Sequence, residues 1–169
     1  RKMGIQPDVV VIVATVRALK YNGGVAKTDL NSENLEALEK GIPNLLRHIA
    51  NITQSFGLPA VVAINRFPTD TEAELQLIYD KCKELGVNVA LSEVWGKGSE
   101  GGKELAEEVI RLTDAGAGKL QFTYDVEASI MDKINAVVTK IYHGAGVDYT
   151  PNAKKAIKHA KILNKYGKI

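Results

Sequence analysis

The chain reads as an α/β protein with a mostly parallel sheet flanked by helices. Three observations predict this. Two continuous apolar runs, "DVVVIVAT" (8–15) and "PAVVAIN" (59–65), have the length and β-branched content of strands buried on both faces. A third run, "VNVALSEV" (87–94), follows at similar spacing. Between the runs lie helical patterns with caps and stops, so strands alternate with helices, as in doubly wound sheets.

The elements follow in order. After the first strand, Asn31 or Ser32 is placed to cap a helix over "ENLEALEKG" that Gly41 ends. Pro43 then suits the first turn of a second helix, 43–57. Beyond the second strand, Thr69 or Asp70 caps "TEAELQLIYDKCKEL" and Gly86 closes it. The third strand leads into a glycine loop and a helix near 102–113. "KLQFTYD" (119–125) reads as a shorter strand, Asp125 as the cap of a helix over 126–144, and Thr150-Pro151 as the start of a last helix to about Tyr166.

At 169 residues, with 45% apolar and 25% charged residues, the chain can bury a real core in one domain, or one domain with an appendage. A formal charge of +2 gives no reason to expect nucleic acid. The six lysines of "KKAIKHAKILNKYGK" (154–168) read as a solvated helix face at a domain end, with a phosphate or nucleic-acid patch as the alternative. The single cysteine, Cys82, cannot form an internal disulfide and sits in a helical pattern as an inert small residue. No run is long enough for a membrane helix, so no membrane partner is expected and the cytoplasm is the expected compartment. The chain enters its first strand almost at once, without a starting Met, which suggests a piece of a longer polypeptide.

In such sheets ligands bind beyond the carboxyl ends of the strands. The first end, "ATVRALKYNGGV", offers Arg17 and Lys20 before Gly23-Gly24. These are either cations for an anionic ligand or surface charges on an ordinary turn. The second end, "INRFPTDTEAEL", places Phe67-Pro68 in a polar loop, either folded over the sheet edge or projecting into a crevice. The third, "SEVWGKGSEGGKEL", carries the only Trp, Trp95, at the mouth of several glycines. Gly102-Lys103 looks like the end of a phosphate-binding P-loop. Lys97, however, stands where that loop needs Gly, and Glu104 where it needs Ser or Thr. Phe67 and Trp95 follow consecutive strands, so together they can stack a flat heterocycle, with the glycines as a mobile flap. His48, His143 and His159 are scattered without metal-ligand spacing, and no metal site is expected.

Three of these stretches, "VATVRALKYNGG", "NRFPTDT" and "SEVWGKGSEGG", resemble formate–tetrahydrofolate ligase in order and separation, and "YHGAGVDYTPNAKKAIK" extends the likeness over essentially the whole chain. The resemblance implies an ATP-dependent ligase of one-carbon metabolism, making 10-formyltetrahydrofolate through formyl phosphate. It implies a P-loop nucleotide-binding-type architecture, with residues 1–24 in a nucleotide-binding core and 25–169 in a folate-binding α/β domain. It assigns the folate pterin to Phe67 and Trp95 with Pro68 and Leu91 beside them. The nucleotide falls near Asn65, Ser92 and Glu93, and the reacting groups near Arg17 and Lys20. ATP with Mg, tetrahydrofolate, formate and an activating monovalent cation are the implied small molecules, and a homo-oligomer the implied assembly. The family's upstream phosphate loop has no counterpart in these residues, so the chain alone is expected to be inactive. The competing expectation is a non-catalytic module that binds folate or a nucleotide, or assembles with partner chains.

Overall fold

The computed structural model describes residues 4–116 and 118–165. Contacts divide the chain into two compact units, residues 1–120 and 121–169.

Unit 1 holds three parallel strands in the order β1-β2-β3: β1 (Val10–Ala14), β2 (Ala60–Asn65) and β3 (Asn88–Ser92). Register pairs Val10 with Ala60 and Asn65 with Ser92, so the strands end level at their carboxyl side. Helices α1 (Val16–Asn22), α2 (Leu35–Ala50) and α3 (Glu72–Glu84) supply one core with Val62, Ile64 and Val89 of the sheet. On the chain go α4 (Val94–Lys97), a 3-10 turn over Gly98–Gly102, and α5 (Lys103–Asp114), which packs against β2 and β3.

The alternation of parallel strands and helices is as expected, but several local readings are corrected. Strand β2 is buried on both faces, as are Val89 and Ala90 in the middle of β3, but β1 is not. In β1, Val11 and Val13 are 39% and 69% exposed, because α5 reaches β2 and β3 rather than β1. The turn expected after β1 is helix α1. The Thr15 hydroxyl accepts from the Ala18 N–H at 3.0 Å, and the Gly23 N–H closes the helix onto the Leu19 carbonyl at 2.9 Å.

The two helices expected over 33–57 are one, α2, capped by Asn34, with Pro43 inside it and a π-helical stretch at Asn51–Ser55. Gly41 does not end a helix. A Cβ there would stand 1.9 Å from the Leu19 carbonyl oxygen, and one at Gly23 would stand 1.8 Å from the Ala37 carbonyl oxygen. Both glycines let α1 and α2 approach backbone to backbone, so Gly23 is a packing residue rather than a flexible one. Helix α3 is capped by Thr71 in a reciprocal capping box with Glu74. Asp70 turns back to Phe67 instead.

The strand expected at 119–125 does not form among the described residues. The Lys119 N–H donates to the Gly57 carbonyl at 3.1 Å, but no ladder follows and Phe122 is exposed. Unit 2 contains α6 (Ile130–Lys140) and α7 (Pro151–Lys165). Ser129, not Asp125, caps α6, and Asp125 accepts from the Glu127 N–H in a turn. The Thr150 hydroxyl accepts from the Ala153 N–H, opening α7 as expected. The expected end at Tyr166 lies outside the described residues.

Candidate functional site

The three strand ends converge as the topology requires, and their loops are held rather than loose. After β2, the Arg66 N–H donates to the Ser92 carbonyl at 3.1 Å, extending the sheet pairing past Asn65. The next turn is closed from both sides. The Asp70 N–H donates to the Phe67 carbonyl at 3.0 Å, and the Phe67 N–H donates to Asp70 Oδ2 at 2.8 Å. Asp70 is buried, and its Oδ1 has no hydrogen-bond partner. Loss of solvation raises its pKa, opposed by the Phe67 N–H.

After β3, the Glu93 carbonyl accepts from the Gly96 and Lys97 N–H groups, forming α4, while the Glu93 N–H donates to the Gly101 carbonyl at 3.0 Å. A Cβ on Gly101 would meet the Glu93 backbone at 2.5 Å, so this crossing needs a glycine. The glycines therefore build two short helical turns. Gly98, at φ +59°, supplies the left-handed residue between them.

The Trp95 indole Nε1–H donates to the Arg66 carbonyl at 3.0 Å. This ties the β3 loop to the β2 loop while leaving Trp95 68% exposed. A ring pinned by its N–H and open to solvent is not a core residue. Arg66, Phe67, Pro68, Glu93, Trp95, Gly96 and Lys97 line a pocket of about 340 Å³. The Arg17 guanidinium lies 5.2 Å from the Phe67 ring centroid, a cation–π contact that draws the first strand end to the same place.

Charges around the pocket are paired. Arg66 donates to Glu72 and stands 3.9 Å from Glu93, and Lys97 donates to Glu93 Oε2 at 2.5 Å. The Lys97 hydrogen bond holds the Glu93 carboxyl below its usual range, so Glu93 is ionised at neutral pH. A larger cavity of about 620 Å³ lies between α3, β3 and α5, lined by Tyr79, Glu104 and Glu107 among others. It is away from the strand carboxyl ends and contains none of the expected site residues.

Phe67, Pro68, Trp95 and Glu93 thus line one pocket, with Arg17 against its Phe67 wall. Leu91 sits half-buried against the core on β3, and Asn65 and Ser92 are register partners at the strand ends. None of these three is among the pocket-lining residues.

Lys20 goes elsewhere. It is fully buried, donates to the Ser32 carbonyl at 2.8 Å and pairs with the equally buried Glu74 at 2.8 Å. Neither a surface charge nor an open anion site describes it. Burial would raise the Glu74 pKa, but hydrogen bonds from Lys20 and from the Thr71 and Asn34 N–H groups outweigh this and lower it.

Sequence reasoning missed Arg66, whose carbonyl anchors Trp95, and gave Asp70 the wrong duty. The Asx pattern reaches two residues forward, whereas Asp70 reaches three residues back to the Phe67 N–H, so local sequence carried no signal for it. Among the described residues no group of three or more His, Cys, Asp or Glu assembles to hold a metal ion, and no helix is long and apolar enough to cross a membrane. The family model for formate–tetrahydrofolate ligase matches residues 1–168.

Proposed function

The chain belongs to the formate–tetrahydrofolate ligase family, and from that membership we propose that its 340 Å³ pocket is where tetrahydrofolate binds by its pterin ring. The observation that carries this reading is the shared pocket of Phe67, Pro68 and Trp95. Arg17 packs over the Phe67 ring, and the Arg66 carbonyl fixes the edge of Trp95. Two fixed aromatic surfaces suit a flat heterocycle, because stacking gains are not offset by ordering the rings first.

In the proposed reaction, the carboxylate of formate takes the γ-phosphoryl group of ATP, releasing ADP and giving formyl phosphate, and the formyl group then passes to a folate nitrogen, releasing phosphate and giving 10-formyltetrahydrofolate. Transfer of a phosphoryl group needs positioned donors around the phosphates, and no G-x-x-x-x-G-K-[ST] occurs in the 169 residues. We therefore assign folate binding to this chain and the holding of the phosphates to residues beyond it. Arg17 is the one cation of the first signature beside the pocket, so we assign it to the anionic formyl donor as well as to Phe67. Lys20 becomes a positioning residue, tying α1 to the start of α3. Asn65 and Ser92, side by side at the strand ends, remain our candidates for the nucleotide.

Trp95 is the only tryptophan, so its fluorescence reports on the pocket alone. Titration with tetrahydrofolate is expected to give saturable quenching, with a matching Kd by calorimetry that ATP does not change. Calorimetric binding that Trp95→Ala and Phe67→Ala both leave unaltered would move the folate site elsewhere.

A further inference from the structure

Resting on the folate reading of the pocket, we propose that Glu93 is the specificity residue for the pterin: its carboxylate accepts the paired N–H donors of the 2-amino-4-oxopyrimidine ring. Glu93 lines the same pocket as Phe67, Pro68 and Trp95, and its side chain is 27% exposed. Its backbone is held at both ends, by the Gly101 carbonyl on its N–H and by the Gly96 and Lys97 N–H groups on its carbonyl. Gly101 packs so closely beneath it that a Cβ would meet its carbonyl carbon at 2.5 Å. The carboxylate therefore leaves a fixed root.

Its two oxygens are unequally engaged. Oε2 accepts from Lys97 Nζ at 2.5 Å, whereas Oε1 is 3.9 Å from the Arg66 guanidinium, too far for a hydrogen bond. Lys97 is well exposed, and its ammonium sits on a flexible four-carbon stem. A ligand can share or displace it.

The chemistry selects the ligand. A 2-amino-4-oxopyrimidine presents N3–H and a 2-amino N–H side by side and pointing the same way. Two parallel donors match the two acceptors of one carboxylate, the same complementarity that makes guanidinium–carboxylate pairs bidentate. Adenine presents a donor, its 6-amino group, beside an acceptor, N1. A carboxylate set against that edge meets a lone pair with one of its oxygens. Ionised Glu93 lining the same pocket as the two aromatic rings thus fits the pterin and disfavours adenine, which takes it away from the nucleotide assignment that the family resemblance implied.

The test is calorimetric binding to the full 169-residue chain, using tetrahydrofolate and an analogue whose 2-amino group is replaced by methyl. Glu93→Gln presents a donor where an acceptor is needed. It should weaken tetrahydrofolate binding on the order of 10–100-fold, as expected for a lost charge-assisted hydrogen bond. The same variant should leave the methyl analogue within about 3-fold of wild type, and leave ATP affinity and the melting temperature unchanged. Unchanged tetrahydrofolate affinity in Glu93→Gln overturns the assignment, as does an equal loss for both ligands or a loss confined to ATP. Trp95→Ala separates the two readings. If it weakens folate binding while Glu93→Gln does not, the pocket stands and Glu93 falls. If neither variant affects binding, or the wild-type chain binds no folate, the pocket reading falls and Glu93 with it.

Discussion

Trp95 and Glu74 show opposite uses of a large or charged side chain. Trp95 contributes little to the core, being mostly exposed and anchored by one hydrogen bond. Trp95→Ala should weaken tetrahydrofolate binding by about 1–3 kcal/mol, from lost stacking and apolar contact. It should lower stability by only about 1 kcal/mol, the worth of one hydrogen bond, as read by denaturant unfolding. A stability loss nearer the 3–5 kcal/mol of a buried Trp would contradict the exposed placement. Glu74 is the reverse, with no exposed surface and its charge matched by Lys20. Glu74→Gln leaves Lys20 buried without its partner and should cost about 3–5 kcal/mol at neutral pH. Because the folded-state pKa of Glu74 is lowered from its ordinary value, its stabilisation is present above the unfolded value and is lost as pH falls through the folded one. Asp70, with a raised pKa, contributes with the opposite sign: its share is present below the unfolded value and lost as pH rises through the folded one. Melting followed from pH 7 down to 3 should therefore show a shallower acid decline in Glu74→Gln than in wild type.

Among the elements, α1 and α2 owe their closeness to two glycines facing opposite backbones. A methyl group at Gly41 would stand 1.9 Å from the Leu19 carbonyl oxygen, far inside contact distance, and the obstacle is backbone rather than a movable side chain. Gly41→Ala raises helix propensity by about 1 kcal/mol in isolation, but forced separation of the helices costs typically 1–3 kcal/mol or more. The packing term wins, so the variant should be less stable than wild type. An increase in unfolding midpoint would show that the contact is not as drawn. The α1–α2 distance also matters to the site. Arg17 leaves α1 toward Phe67 and Lys20 leaves it toward Glu74 at the start of α3. Gly101 plays a similar part under α4. Gly101→Ala should displace the Glu93–Trp95 segment and reduce tetrahydrofolate affinity, which calorimetry checks directly.

For the molecule as a whole, the pocket is confined to unit 1, at the carboxyl ends of β2 and β3, with α1 contributing Arg17. Unit 2 has its own capped helices, α6 and α7. Binding and turnover should therefore separate in the 169-residue chain. It is expected to bind tetrahydrofolate and to make no 10-formyltetrahydrofolate when supplied with ATP, Mg and formate, because phosphoryl transfer needs positioned phosphate donors and its sequence carries no G-x-x-x-x-G-K-[ST] loop. Measurable synthesis by the pure chain would show that residues within it hold the phosphates after all.

Strand order of appearance, parallel pairing and the strand-end location of the pocket were legible in the sequence, because β-branched runs such as "PAVVAIN" and the helices between them follow from local periodicity. Phe67 and Trp95 were legible too, as aromatics without a place in that periodicity. What a side chain faces is not local. Lys20 and Arg17 stand three residues apart on one helix, yet the packing of α3 buries one against Glu74 and leaves the other beside Phe67. Gly23 and Gly41 carry the letters of a turn and a helix stop, but the close approach of two backbones sets their role. "KLQFTYD" has the composition of a strand and still forms none among the described residues, since a strand needs a neighbouring ladder and composition alone supplies no partner. The sequence by itself determined the three parallel strands, the alternation of strands with helices and the family. Tertiary structure alone decided which charges are buried in pairs, which glycines are spacers, and which residues share the pocket, because these depend on contacts between segments far apart in the chain.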